Sequence, residues 1–567
     1  MATIHSNFFS LRCVRRACLL IIFSLSFSFF ASAPAAARPL GSKEAVRGGN
    51  FTIRYGEEPP TLNPLLPPTD DSWITAFLLE SLLYKNPETY EWEPLLAESF
   101  KISDEGKTFD FTLRKNARWS DGKPVTARDI EFSYQLNFDA RYPAAERRAA
   151  LENVKSLEVI DDHHVRFHVA AGSFLNFRTV ASLKILPRHI FRIPDEGETP
   201  GLRAHPLQIQ YPIGSGPYRF DNWAAGRSLT LVRNPRWWGW QDPENLGKFN
   251  PYRLTFRFVG ADHLAYEMLK RGDLDYINLT PEQYLKALDN YSPSMPFVLQ
   301  KVTNSFPTFM NSLVFNLRKP LFQDARVRRA LVAMIDRPTI QRTFFRGLSD
   351  LAVGPWYNES VFADPAVRPI TYDRAASISL LSQAGWEKAP EERFFFRRIN
   401  GKKEFLKFTI LTSNRVALRH LTFIKEDAAR AGVDIEIKLV DRTTFTQSLD
   451  ARTFEVVDYG WGSPVEFEPS PAWACSQAKE GLNISGFCDP RVDELAAKAA
   501  STFSIDARIP YLREMYRRVA EAVPQIFLLN ENSTYYAVSR RVGRSRNFFK
   551  YDAGVPYMWI EKGRRSP

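Results

Sequence analysis

Cysteine and histidine are scarce in this chain, with four Cys and eight His among 567 residues. The histidines form no tight cluster, so direct ligation of a metal by imidazole is not expected. There is no H-E-x-x-H, no C-x-x-C and no Walker-type glycine loop, which removes the common zinc-hydrolase, dithiol and nucleotide-loop chemistries. Long hydrophobic runs are missing too. The stretch ACLLIIFSLSFSFF, Ala17 to Phe30, has 14 residues against the ~20 that span a bilayer. Internal repeats and low-complexity tracts are absent.

What stands at the N-terminus is a leader pattern. Arg12, Arg15 and Arg16 precede the short apolar run, and ASAPAAARPL follows it with Ala35 and Ala37 at the small-residue positions. This reads as a secretory signal peptide over 1–37, cleaved after Ala37, with a retained anchor as the alternative. The mature chain is then expected to be soluble and exported, to a periplasm. The leader carries three arginines and no acid, so its removal takes the formal charge from +11 to +8. Basic residues gather only in SRRVGRSRNFFK and EKGRR near the end, which read as solvated surface, and export argues against nucleic acid. Two cysteines remain, Cys475 and Cys488, in a compartment that permits a disulfide. Two buried thiols or half of a metal site are the alternatives, but no His lies in Trp473–Val492.

The roughly 530 mature residues predict about three domains, of mixed α+β and α/β character. GNFTIRY alternates as a strand, DDSWITAFLLESLLYK reads as an amphipathic helix, and Val154–Val169 as a hairpin turning at DDHH. ADHLAYEMLKRGDLDYINL is a helix ended by Gly272 and followed by a strand. DARVRRALVAMID and YDRAASISLLSQAGW are helices, FLKFTILT and VDIEIKLVD strands, and PQIFLLNENSTYYAVS a strand pair.

Candidate chemistry is thin. Gly214–Gly216 is followed directly by Pro217 and lacks the strand-to-helix setting of a nucleophile elbow. DDHH suits a turn better than a metal site, and His189 falls on a surface helix or turn. YGWGSPVEFEP is harder to dismiss, because Glu466 and Glu468 stand two apart beside Trp461 and Phe467. Paired acids among aromatics fit glycoside hydrolysis, or a cleft that stacks rings on a ligand and receives its cationic groups; binding is the favoured role.

FDFTLRKNARWSDGKPVTARDIEFSY supplies a strand, a turn at Asp121-Gly122 and a T-x-x-D capping signature from Thr126 to Asp129. It also resembles the signature of family 5 extracellular solute-binding proteins, the peptide- and nickel-type receptors of ABC importers. EPPTLNP, GSGPYRF, LVRNPRWWG, LKRGDLDY, LFQDARVRRALVAMIDR and GFCDPRVDEL match in order. The resemblance implies a two-lobed binding-protein fold with three domains and no enzymatic activity. The parts would be a base domain in three pieces (38–66, 208–308 and 525–567), an inserted second domain (67–207) and an α/β second lobe (309–524). Hinge crossings would fall near 303–312 and 520–530.

It further implies a small peptide or peptide-like ligand, an ABC permease and ATPase complex as partners and a monomeric state; no cofactor is expected, and the scattered histidines speak against a bound metal. Trp461 corresponds to the family's ligand-stacking tryptophan, with Asp458, Tyr459, Gly462 and Ser463 around it and Glu58 in the first motif. Where the family places an amine-binding Asp, this chain has Pro464. Glu466, Glu468 or Asp458 would replace it, or the ligand lacks a free α-amine there, as a sugar, an opine-like compound or a metal chelate would. A secreted hydrolase using Glu466 and Glu468 is the reading from a different class, and a partner protein that has lost transport is another.

Overall fold

The computed structural model describes residues 40–62, 73–139, 148, 150–191, 213–305, 309–462, 464–479, 481–531 and 533–561. The leader and its cleavage site lie outside the described residues, and so does Ser463. No described helix is long and apolar enough to cross a membrane.

Three sheets organise the chain. Seven strands form one, in the order Phe297–Val302, Thr534–Ser539, Tyr276–Leu279, Asn50–Tyr55, Arg253–Phe258, Ser228–Arg233 and Tyr218–Ala224. A four-stranded antiparallel sheet comes from Ala97–Ser103, Thr108–Leu113, Val154–Asp161 and His164–Val169. A six-stranded sheet runs Ser349–Leu351, Gln525–Glu531, Met310–Phe315, Val456–Trp461, Lys407–Thr412 and Asp434–Leu439. Its last two strands are parallel and joined by the helix Leu418–Ala431, which Gly432 ends at φ +95°, to make a βαβ unit.

The signature stretch does what its residues dictate. Thr108–Leu113 places Phe109, Phe111 and Leu113 in one core with Trp119 and Ile130. Gly122 takes φ +98° in the turn, and the Thr126 N–H donates to the Asp129 carboxylate at 2.9 Å to start the helix Ala127–Leu136. Asp121 Oδ2 lies 2.7 Å from His189 Nε2, so the acid and imidazole tie the turn to a neighbouring loop. Gly214 and Gly216 pack against the Leu78 carbonyl, where an added Cβ would come within 1.8 and 2.5 Å of backbone oxygens. The glycines of that motif serve close packing.

Two local readings are corrected. The expected helix over DDSWITAFLLESLLYK stops at Leu78, after Trp73–Leu78, and Leu83–Lys85 pairs instead with Trp92–Pro94. Leu79, Leu82 and Leu83 are all buried, so the segment has no solvent face for an amphipathic helix to present. In PQIFLLNENSTYYAVS both strands exist, but they do not pair with each other. Gln525–Glu531 is flanked by Met310–Phe315 and Ser349–Leu351, while Thr534–Ser539 lies between Phe297–Val302 and Tyr276–Leu279. The chain therefore leaves the seven-stranded sheet after Val302 to enter the six-stranded one at Met310, and returns between Glu531 and Thr534. Gln525–Glu531, expected to open the last piece of the base domain, is a strand of the six-stranded sheet.

The short segment after Leu78 also carries Glu80, which is 3% exposed. Its carboxylate accepts the indole N–H groups of Trp237 at 2.9 Å and Trp238 at 3.1 Å, which fixes the WW of LVRNPRWWG. Burial pushes its pKa from 4.5 up to about 7, against the pull of the two indoles, Ser215 and Lys184. A carboxyl raised on folding binds its proton more tightly in the native state, so its contribution to stability is complete below 4.5 and is lost by about pH 7. The expected loss is about 3 kcal/mol over that window. Denaturant midpoints of native protein and Glu80→Gln at pH 5 and pH 8 check this; an equal slope in both proteins would refute it.

Candidate functional site

The site is built on the strand Val456–Trp461. Alternation sends Val457, Tyr459 and Trp461 to the face shared with Val314, Leu411 and Ile484, while Val456 turns to the core on the other side. Gly460 has no room for a side chain, since a Cβ there would sit 2.2 Å from the Phe309 ring. After Gly462 the chain turns through Pro464, buries Val465 and Glu466, and brings Phe467 and Glu468 back to the surface of a cavity.

That cavity has a volume of about 420 Å³, within the usual range for small-ligand sites. Its wall is aromatic: Trp356, Tyr459, Trp461, Phe467 and Trp473 line it. Trp461 meets Trp473 edge-on at 5.9 Å and Tyr459 at 5.7 Å, and Trp356 meets Phe467 at 5.1 Å. Two of its lining residues bring full charges, Arg178 and Glu468. Every lining residue comes from 314–525 except Arg178, which the helix Phe174–Ala181 carries in from the four-stranded side. Disulfide-bonded Cys475 and Cys488 stand just beyond Trp473 and staple the loop whose Leu482, Ile484 and Ser485 complete the wall.

The residues expected from the sequence divide. Trp461, Tyr459, Gly462 and Glu468 line the cavity, as does Pro464. Glu468 Oε1 accepts the Ser470 N–H at 3.0 Å, which aims the carboxylate. Asp458 is not among the lining residues; it accepts the Thr412 hydroxyl at 2.8 Å, and burial holds its carboxyl above the ordinary range. Glu58 serves elsewhere, accepting the Trp223 indole N–H at 2.6 Å and the Gly226 N–H at 2.9 Å at the Tyr218–Ala224/Ser228–Arg233 hairpin.

Glu466 is 3% exposed and already partnered. Arg508 donates to its Oε1, and Lys85 Nζ stands 2.5 Å from its Oε2 as an ion pair. Arg178 Nη1 donates to the Glu466 carbonyl at 2.7 Å. Burial lowers the pKa of Lys85 and of Arg178, and Glu466 opposes both shifts. Tyr90, packed over Lys85 at 4.8 Å, is pushed up to about 12 by burial and then by the charge of Glu466.

Arg178, Trp356 and Trp473 are not singled out in the sequence, whereas Phe467 is noted beside the two acids. For Arg178 a signal exists: it is the one cation in the apolar run FLNFRTVA. The tryptophans carry none, because an aromatic in a wall and one in a core read alike.

An aromatic-walled cavity that carries one acid and one cation suits the holding of a small ligand. Residues 91–481 match the bacterial extracellular solute-binding proteins, family 5 Middle, and the chain belongs to that family. The chain is similar to the oligopeptide-binding protein AppA of Bacillus subtilis, 26% identical over 86% of this chain and 87% of that one. AppA solved with a nonapeptide superposes with a TM-score of 0.65 at 23% identity, covering 92% of this chain and all of the other. The murein tripeptide-binding protein MppA in its unliganded open form gives 0.72 at 21% identity, over 92% and 99%. NikA from Brucella suis in complex with Fe(III)-EDTA gives 0.72 at 16%, over 90% and 100%. The fold is the mixed α/β, two-lobed fold of these proteins, and the chain is a binding receptor, not a hydrolase.

Proposed function

We propose that this chain is the periplasmic substrate-binding component of an ABC importer, holding a short peptide or peptide-like zwitterion for a permease and ATPase complex. One observation carries the reading: Arg178 and Glu468 bring opposite charges to a cavity otherwise walled by aromatic, proline and aliphatic residues with Ser485 and Gln525. Glu468 takes the place left by Pro464 as acceptor of the ligand's α-amine, and Arg178 faces its carboxylate. Rings accept varied side chains by contact, while the two charges fix the ends. The oligopeptide-binding relative supports the ligand class. The seven- and four-stranded sheets make one lobe and the six-stranded sheet the other, with the ligand between them and the protein acting as a monomer after loss of residues 1–37. A non-peptide solute such as a metal chelate is the second reading, favoured by Pro464 in the wall.

Native mass spectrometry of the mature protein from a periplasm tests this. Short-peptide masses are expected, with N-acetylation of the best binder and Glu468→Gln each weakening affinity by about tenfold or more. A single non-peptide or metal-chelate mass would overturn the peptide reading.

A further inference from the structure

Glu466 has the composition of a ligand contact and the surroundings of a fastening. Its carboxylate is held from two directions that differ in kind. Arg508, on the helix Ile505–Ala522, belongs with Glu466 to the stretch between the two crossings, so those two stay together however the sheets move relative to one another. Lys85, Arg178 and Phe174 come from the other side of the cavity, on the strand Leu83–Lys85 and the helix Phe174–Ala181. Lys85 pairs with Oε2 at 2.5 Å, Arg178 holds the main-chain carbonyl at 2.7 Å, and the Phe174 ring lies 3.9 Å from the Arg508 guanidinium. Nearby, Phe503 sets its ring 6.3 Å from both Phe109 and Phe177. Gly106 makes room for it at φ +81°, where a Cβ would come within 2.4 Å of that ring.

We propose that Lys85 and Arg178 close upon the preformed Glu466–Arg508 pair as a clamp across the ligand cleft, making Glu466 a positioning residue and not a ligand contact. This rests on the reading that the ligand binds between the lobes, but not on what the ligand is. Arg508 holds the Glu466 carboxylate oriented while the lobes are apart, so the arriving Lys85 and Arg178 meet a prepared acceptor. Phe467 and Glu468 follow Glu466 directly in the chain. Seating the Glu466 backbone against Arg178 therefore sets the cavity wall and the acid offered to the ligand in the same movement. Contacts present only when the lobes meet favour the closed state whether or not ligand is bound.

The test needs no ligand. Spin labels at Lys101→Cys and Lys438→Cys, both exposed and on the four- and six-stranded sheets, report the distance between lobes in the mature protein by pulsed dipolar spectroscopy. Lys85→Met is expected to raise the ratio of long to short distances by about threefold or more, and Glu466→Gln to do the same. Lys85→Arg should restore the native distribution. A loss of packing alone would lower the unfolding midpoint without being rescued in this way. If Lys85→Met folds with a native midpoint and its distances equal those of the native protein, the clamp does not exist. The result is independent of the peptide reading, since non-peptide masses in the co-purification would leave the distance distributions untouched.

Discussion

Replacing Trp461 by alanine is expected to weaken ligand binding by about 100-fold while lowering stability by only about 1–2 kcal/mol. Buried aromatic anchors at the centre of a site commonly cost 2 kcal/mol or more when truncated, and every 1.4 kcal/mol is tenfold in affinity. Trp461 is half-buried and lines the cavity, packed between Tyr459 and Trp473. Its removal opens the wall on the side where three aromatic rings meet. The strand that carries it remains paired with Met310–Phe315, and Gly460 still packs on Phe309, so the backbone has no reason to leave its place. Trp461→Phe should recover most of the affinity, because a ring face is retained. Calorimetric titration of the co-purified ligand into the three proteins measures this. Affinity of Trp461→Ala within threefold of native would move the binding site away from this cavity.

How much of that site can be read from the sequence depends on the distance over which its parts are assembled. The tryptophan after a glycine is legible through its resemblance to the family's motif, although the space that the glycine leaves is demanded by Phe309, far away in the chain. The two acids that follow are not separable in sequence. Glu466 and Glu468 share a parity and an aromatic setting, yet one is committed to Lys85 and Arg508 while the other faces the cavity. The difference is made by cations hundreds of residues upstream and 42 residues downstream, which no local pattern announces. The same holds for the two strands in PQIFLLNENSTYYAVS. Their existence follows from composition, but Gln525–Glu531 is buried on both faces and could have joined any neighbour. Caps and turns behaved otherwise. Thr126 with Asp129, Gly122, Gly272 and the Asp161–His164 turn are all satisfied within a few residues, and each stands where the sequence indicates.

Arg337→Met is expected to lower the unfolding free energy by about 4 kcal/mol. DARVRRALVAMID forms the helix Ala325–Ala333, and a second helix, Arg337–Phe344, follows after a break, with Asp336 accepting the Thr339 N–H at 3.0 Å to start it. That break turns Arg337 inward, where it is 3% exposed. No salt bridge holds it among the described residues. Its guanidinium donates to the carbonyls of Phe527 at 2.6 Å, Ala352 at 3.3 Å and Ile370, and burial pulls its pKa down to about 10. Each buried carbonyl left without a donor costs about 1–3 kcal/mol, and methionine fills the space while replacing none of the donors. Lysine keeps the charge but lacks the planar fork that reaches several acceptors at once, so Arg337→Lys should lose about half as much. Phe527 lies in the same strand as Gln525, which lines the cavity, yet the fork touches the strand two residues away. The folded fraction of Arg337→Met should therefore bind ligand within about tenfold of native, separating support of the fold from contact with ligand. Urea denaturation followed by tryptophan fluorescence, with ligand titration on the same samples, decides it. A loss under 1 kcal/mol in Arg337→Met would mean that the three carbonyls find other donors and that the fork is dispensable.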